Sequence, residues 1–180
     1  MGALATETGS NSKGDLRAWL AQLVGEGRLA VATENLSLRH ELAAVAKRLE
    51  REQAVLFPKP DGHAFPVVAN LLADRSWVAA AMGVPESEML GRFEHAARHP
   101  LPCVEVADAP VQAVVHRKPD LTKVLPIPVH NELDSGPYIT AGLMIAGMLP
   151  IAGQNVSIHR CRVSGPDRIG GLLLPRHTQA

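Results

Sequence analysis

The hydrophobic periodicity of this chain changes character at Pro100, and that change limits the folds open to it. Before Pro100 the apolar residues follow helical spacing. Leu16, Trp19, Leu20, Leu23 and Val24 recur at three- and four-residue steps, which places them on one helix face, with Asp15 set to cap the start and Gly25 and Gly27 to weaken the end. A second helix is predicted over residues 37–52, with Leu38, Leu42, Val45 and Leu49 on its stripe and Lys47, Arg48, Glu50 and Arg51 solvated. Two short apolar runs, 54–57 and 65–69, flank turn chemistry at 58–62 and read as strands. Asp74 is placed to cap a helix through Met82 that Gly83 closes. Pro85, Glu86 and Glu88 suit the first turn of another helix ending near His99.

Beyond Pro100 the apolar runs shorten and prolines or glycines separate them. Residues 104–106, 111–115 and 121–125 read as β-like runs divided by Pro110, Pro119, Pro126 and Pro128. Residues 138–148, 155–164 and 169–174 show no helical period, which predicts an antiparallel sheet or barrel. The expected fold class is therefore α/β: a disordered tail over residues 1–14, an amino-terminal α/β domain over 15–118, and the first strands of a β domain over 119–180.

Charge narrows the set of partners. Lys plus Arg and Asp plus Glu both number 18, so the chain is formally neutral and no basic face is expected to hold nucleic acid. No apolar run approaches the roughly 18 residues of a membrane span, because glycines interrupt the stretch before Pro150. With no export signal visible, a cytoplasmic location is expected, with Cys103 and Cys161 as reduced thiols. Aromatic residues make up only 3% of the chain, so its core must be aliphatic.

Polar groups concentrate in the last β-rich stretch. Asn155, Ser157, His159 and Arg160 read as one strand, and Arg176 and His177 follow the next. Strand alternation would put Asn155, Ser157 and His159 on one face and Ile158 and Arg160 on the other. Polar groups on both faces imply an edge strand or a bound polar ligand. Asn155 and His177 offer an oxygen and an imidazole to a divalent cation, and Arg160 offers a fork to a carboxylate or phosphate. Two ligands do not define a metal site by spacing, and hydrogen-bonded structure is the other reading of the same residues.

The run Asn155-Val156-Ser157-Ile158-His159-Arg160 resembles the motif of the UbiD decarboxylase family. Leu125-Pro126-Ile127-Pro128, His130-Asn131-Glu132 and the run from Asp134 to Gly142 resemble the family's approach to this strand. Gly165-Pro166-Asp167-Arg168 and Arg176-His177 resemble its exit. The resemblance implies a flavin-reductase-like split β-barrel that binds prenylated FMN through a divalent metal, usually Mn2+, and K+. By position, Asn155 and His177 would be metal ligands. Ile158, His159, Arg160, Leu172, Leu173, Leu174, His177 and Thr178 would line the cofactor, with Arg160 also catalytic, orienting the substrate carboxylate. The family removes CO2 from aromatic or α,β-unsaturated acids, the modified flavin accepting the electron density released.

The family's acidic metal ligand and acidic proton donor lie beyond the matched residues. The expectation is that this chain alone is inactive unless a second chain completes the barrel; a homo-oligomer is the other partner expected. The alternatives are a catalytically inactive binding or assembly module and an FMN-binding split-barrel reductase. Glu132 and Asp134 are read as solvated or capping acids, and His63, His95, His99 and His116 as surface or packing residues.

Overall fold

The computed structural model describes residues 15–102, 104–147 and 154–173. The expected tail 1–14, and Cys103, Leu174, Arg176, His177 and Thr178, lie outside the described residues. Two compact units emerge. One comprises the described parts of residues 1–31, 49–56 and 68–107, the other those of 32–48, 57–67 and 108–180.

In the first unit, α1 (Leu16–Gly25) starts where the Asp15 carboxylate accepts a hydrogen bond from the Ala18 amide at 2.7 Å. It ends where Gly27 turns left-handed at φ +68°, letting the Arg28 amide reach back to the Leu23 carbonyl at 2.8 Å. That reversal delivers β1 (Leu29–Val31) parallel to β2 (Ala54–Phe57), Leu29 opposite Ala54, and β3 (Val67–Ala69) completes the order β1-β2-β3. The middle strand is covered on both faces: Ala54, Val55 and Phe57 are all buried.

Leu23, Ala54 and Trp77 form the core cluster, with Trp19, Leu29, Leu71 and Ala73 packed against it. Trp19 meets Trp77 edge-on with centroids 6.5 Å apart and donates its indole N–H to the Leu71 carbonyl at 2.9 Å. Leu16 and Val24, expected on the buried stripe, are more than half exposed, so only Trp19, Leu20 and Leu23 face inward. Trp77 belongs to α3 (Arg75–Met82). Asp74 caps this helix through the Ser76 amide and hydroxyl, and Gly83, at φ +69°, closes it. A short 3-10 turn, Glu86–Glu88, leads into the exposed helix that follows, Met89–Arg98.

Two expectations are corrected by the structure. The helix predicted over 37–52 spans only Glu41–Arg48, here α2. Arg39 forms a bridge with Val129, and His40 stands at φ +73°, a conformation no α-helix accommodates. Leu42 is the buried residue of α2. The three β-like runs between 104 and 125 form no strand among the described residues. Residues 104–106 have no regular structure, Val111 lies in a 3-10 turn (Pro110–Gln112), and Leu121–Val124 is a helical turn capped by Asp120. Val104, Val106, Val111, Val114 and Val115 are all exposed. Without a neighbouring ladder or an apolar surface, β propensity does not make a strand.

The expected antiparallel pairing is present from Tyr138 onward. The strands β4 (Tyr138–Ile139), β7 (Cys161–Gly165) and β8 (Arg168–Gly171) form one sheet in the order β4-β7-β8, and β5 (Leu143–Gly147) pairs with β6 (Gln154–Ile158) in another. All these pairings are antiparallel, and both sheets are small and open. Cys161 and Val163 are the buried residues of β7.

Candidate active site

The site grows from β6 and the break that follows it. Residues 154–158 pair with β5 in unbroken register: Asn155 opposite Ala146, Val156 opposite Ile145, Ser157 opposite Met144 and Ile158 opposite Leu143. As the alternation predicted, Asn155 and Ser157 share one face, which is half-buried. The other face is aliphatic and open. Leu143, Ile145, Val156 and Ile158 are between 56% and 72% exposed, an inversion of the usual rule that apolar side chains turn inward.

The strand does not run to Arg160, as expected, but ends at Ile158, so His159 and Arg160 occupy the break before β7. In that break the His159 amide donates to the Gly142 carbonyl at 3.4 Å, and its own carbonyl accepts from the Cys161 thiol at 3.5 Å. The imidazole is half-buried and its Nε2 is fully buried without a hydrogen-bond partner. A buried polar nitrogen left unsatisfied is costly, and His40 Nε2 is in the same condition elsewhere in the fold.

Arg160 leaves the break outward, and two groups fix it. Its Nη2 donates to Asp134 Oδ1 at 2.8 Å, and its guanidinium lies over the Tyr138 ring at 4.4 Å from the centroid. The strand register accounts for the second contact: Tyr138 pairs with Arg162, which makes residue 160 its diagonal neighbour on the same face. Tyr138 is held in turn by a hydrogen bond of 3.1 Å between its hydroxyl and the Ser135 hydroxyl. The Arg160 side chain is nevertheless 60% exposed.

Asp134 closes a tight turn. Its Oδ2 accepts from the Asn131 amide at 3.2 Å, its amide donates to the Asn131 carbonyl at 3.0 Å, and Asn131 Oδ1 accepts from the Leu133 amide at 2.9 Å. Asp134 is thus a capping acid, as the sequence suggested, but also the partner of Arg160. That pairing links residues 26 apart and leaves no local sequence signal.

The remaining sequence-predicted positions divide clearly. Leu172 and Leu173 follow the end of β8, at 78% and 38% exposure. Leu174, His177 and Thr178 lie outside the described residues, so Asn155 is the described member of the predicted metal pair. Among the described residues no group of three or more His, Cys, Asp or Glu is placed to hold a metal ion. Glu132, His95, His99 and His116 are exposed, His95 and His99 stacking on one another at 4.3 Å. No helix among the described residues is long and apolar enough to cross a membrane.

Comparison with known proteins covers almost all of this structure. The chain matches the 3-octaprenyl-4-hydroxybenzoate carboxy-lyase N-terminal domain over residues 20–97 and the Rift-related domain of the same enzyme over residues 103–180. Its mixed α/β fold is similar to that of an evolved dimeric form of the UbiD-class enzyme HmfF from Pelotomaculum thermopropionicum, solved in complex with prFMN. The TM-score is 0.86 and the identity 44%, covering 91% of this chain and 39% of that one. Among curated proteins, it is 36% identical over 160 residues to an uncharacterized protein in the cooM 5' region of Rhodospirillum rubrum, covering 86% of this chain and 34% of that protein. It is 32% identical over 166 residues to the anhydromevalonate phosphate decarboxylase of Methanosarcina mazei, covering 90% and 37%. The chain therefore spans little more than a third of the length of these relatives.

Proposed function

The chain belongs to the UbiD family of carboxy-lyases, and from that membership we propose that it supplies part of a non-oxidative decarboxylase acting on aromatic or α,β-unsaturated carboxylic acids with prenylated FMN. One observation carries the reading: an open aliphatic face on β5 and β6 leads directly into an exposed, oriented guanidinium at Arg160. A flat conjugated ring system suits the aliphatic face, and a carboxylate suits the fork.

The residues have separate tasks. Ile158 supplies apolar contact, His159 lines the cofactor beside it, and Arg160 binds the substrate carboxylate and fixes its direction. Leu172, Leu173, Leu174 and Thr178 extend the same lining. Asn155 and His177 hold the divalent cation, Mn2+, that anchors the cofactor phosphate, with K+ alongside, in keeping with hard cations and oxygen-rich ligands. When bound, prenylated FMN supplies the electron sink for the bond to CO2. The protein groups orient the acid.

On this reading the segment 119–180 contributes to a split barrel, 15–118 to the α/β domain, and the enzyme works in the cytoplasm. A homo-oligomer is one partner arrangement on this reading, and the HmfF relative was solved in a dimeric form; a second chain contributing to the barrel is the other. The test is CO2 release from a panel of aromatic and α,β-unsaturated acids by the chain loaded with prenylated FMN and Mn2+, alone and with candidate partner chains. Arg160→Ala is expected to lower turnover by about 100-fold or more, the scale of lost substrate orientation. Unchanged turnover in that variant would remove Arg160 from the reaction. A loaded protein inert in every combination would identify a binding or assembly module instead.

A further inference from the structure

The contacts around Arg160 point to a role for an acid outside the motif. We infer that Asp134 is a positioning residue: it sets the direction of the Arg160 guanidinium before substrate arrives, so that the fork is presented ready-made to a carboxylate. The inference rests on the assignment of Arg160 as the carboxylate-binding residue.

Three features carry it. First, Asp134 is fixed by its own turn, with Oδ2 on the Asn131 amide, so Oδ1 is a stationary anchor and not a mobile surface acid. Its side chain is only 16% exposed, against 60% for Arg160, so the anchor is sheltered while the anchored group faces outward. Second, the Tyr138 ring supports one face of the guanidinium at 4.4 Å, which together with the Asp134 contact restrains both the tilt and the in-plane rotation of the fork. Third, the Asp134 contact engages one terminal nitrogen of a group with five N–H donors, so it does not saturate the fork.

Asp134 could act in the opposite sense, by competing with the substrate carboxylate for Arg160. The two roles predict opposite signs. An arginine side chain surrenders considerable rotamer freedom when it binds, and restraining it beforehand is worth up to about 30-fold in affinity. A positioning acid therefore gives weaker substrate binding when removed, and a competing acid gives tighter binding. The fixed Asp134 turn and the Tyr138 platform favour positioning, because together they restrain the guanidinium through one nitrogen and one face.

The experiment compares Asp134→Asn, Asp134→Glu and Tyr138→Leu with the unmodified chain, using Arg160→Lys as reference and thermal unfolding to confirm folding. The first readout is the Arg160 Nε–Hε NMR resonance without cofactor, assigned by its loss in Arg160→Lys. It should be shifted by the Tyr138 ring in the unmodified chain and move to the averaged position of a solvated arginine in Asp134→Asn. The second is steady-state kinetics of the loaded protein, where Asp134→Asn should raise KM about 10-fold with kcat little changed, and Asp134→Glu should recover part of the loss. An unmoved resonance, or a lower KM in Asp134→Asn, overturns the positioning role. If Arg160→Lys itself leaves KM and turnover unaltered, the decarboxylase reading fails instead. The NMR readout decides the orientation of Arg160 whether or not the chain turns over.

Discussion

Two aspartates show how single residues write pH dependence into this protein. Asp74 is held below the ordinary carboxylate range chiefly by the Ser76 hydroxyl, then by the Ser76 amide, and Asp120 chiefly by the Thr122 hydroxyl. A carboxyl whose folded value lies below its unfolded one contributes stability that is complete above the unfolded value and is lost as pH falls through the folded value. Both caps should therefore weaken as pH falls below about 4. Asp74→Asn and Asp120→Asn keep an acceptor at the cap but cannot titrate. The double variant should show a shallower loss of stability on acidification than the parent in urea midpoints measured across that range; an unchanged slope would count against this origin. Asp74 was legible as a cap from sequence, because a cap and its helix are neighbours along the chain. Asp134 was legible only as a turn acid, because its pairing with Arg160 depends on a strand register that no local pattern encodes.

At the scale of elements, the first unit follows its sequence closely because each signal is local and the pieces agree. Asp15 caps α1, Asp74 caps α3, and Gly83 at φ +69° ends α3 where a side chain would be strained. Gly83→Ala should cost about 1 kcal/mol, read from a shift in chemical-denaturation midpoint. Leu23, fully buried against Ala54 and Trp77, marks the core face of α1, and Leu23→Ala should cost about 3 kcal/mol by the same measurement. Equal stability of the variant would remove Leu23 from the core. The runs between 104 and 125 carry a strand signal without forming one, because valines and leucines make a strand only where a partner ladder exists, and here they are exposed or, at Leu121–Val124, folded into a capped helical turn. The second helix was overextended for a different reason: the left-handed His40 and the Arg39 bridge to Val129 are tertiary commitments that override an amphipathic pattern.

For the molecule as a whole, antiparallel pairing after Tyr138 was readable from the Gly and Pro punctuation, and the matches across residues 20–97 and 103–180 place the chain in its family. The inverted burial of β5 and β6 was not readable. A sequence shows that Leu143, Ile145, Val156 and Ile158 alternate with smaller or polar residues, but not which face meets solvent. That open face and the oriented Arg160 are the features on which the proposed flavin site rests. The most direct test is retention of prenylated FMN after incubation with Mn2+ and desalting, measured by flavin absorbance per chain for the unmodified protein and for Asn155→Ala. The account predicts flavin retention by the unmodified chain that Asn155→Ala abolishes. No retention by the unmodified chain, or equal retention by both, would contradict it.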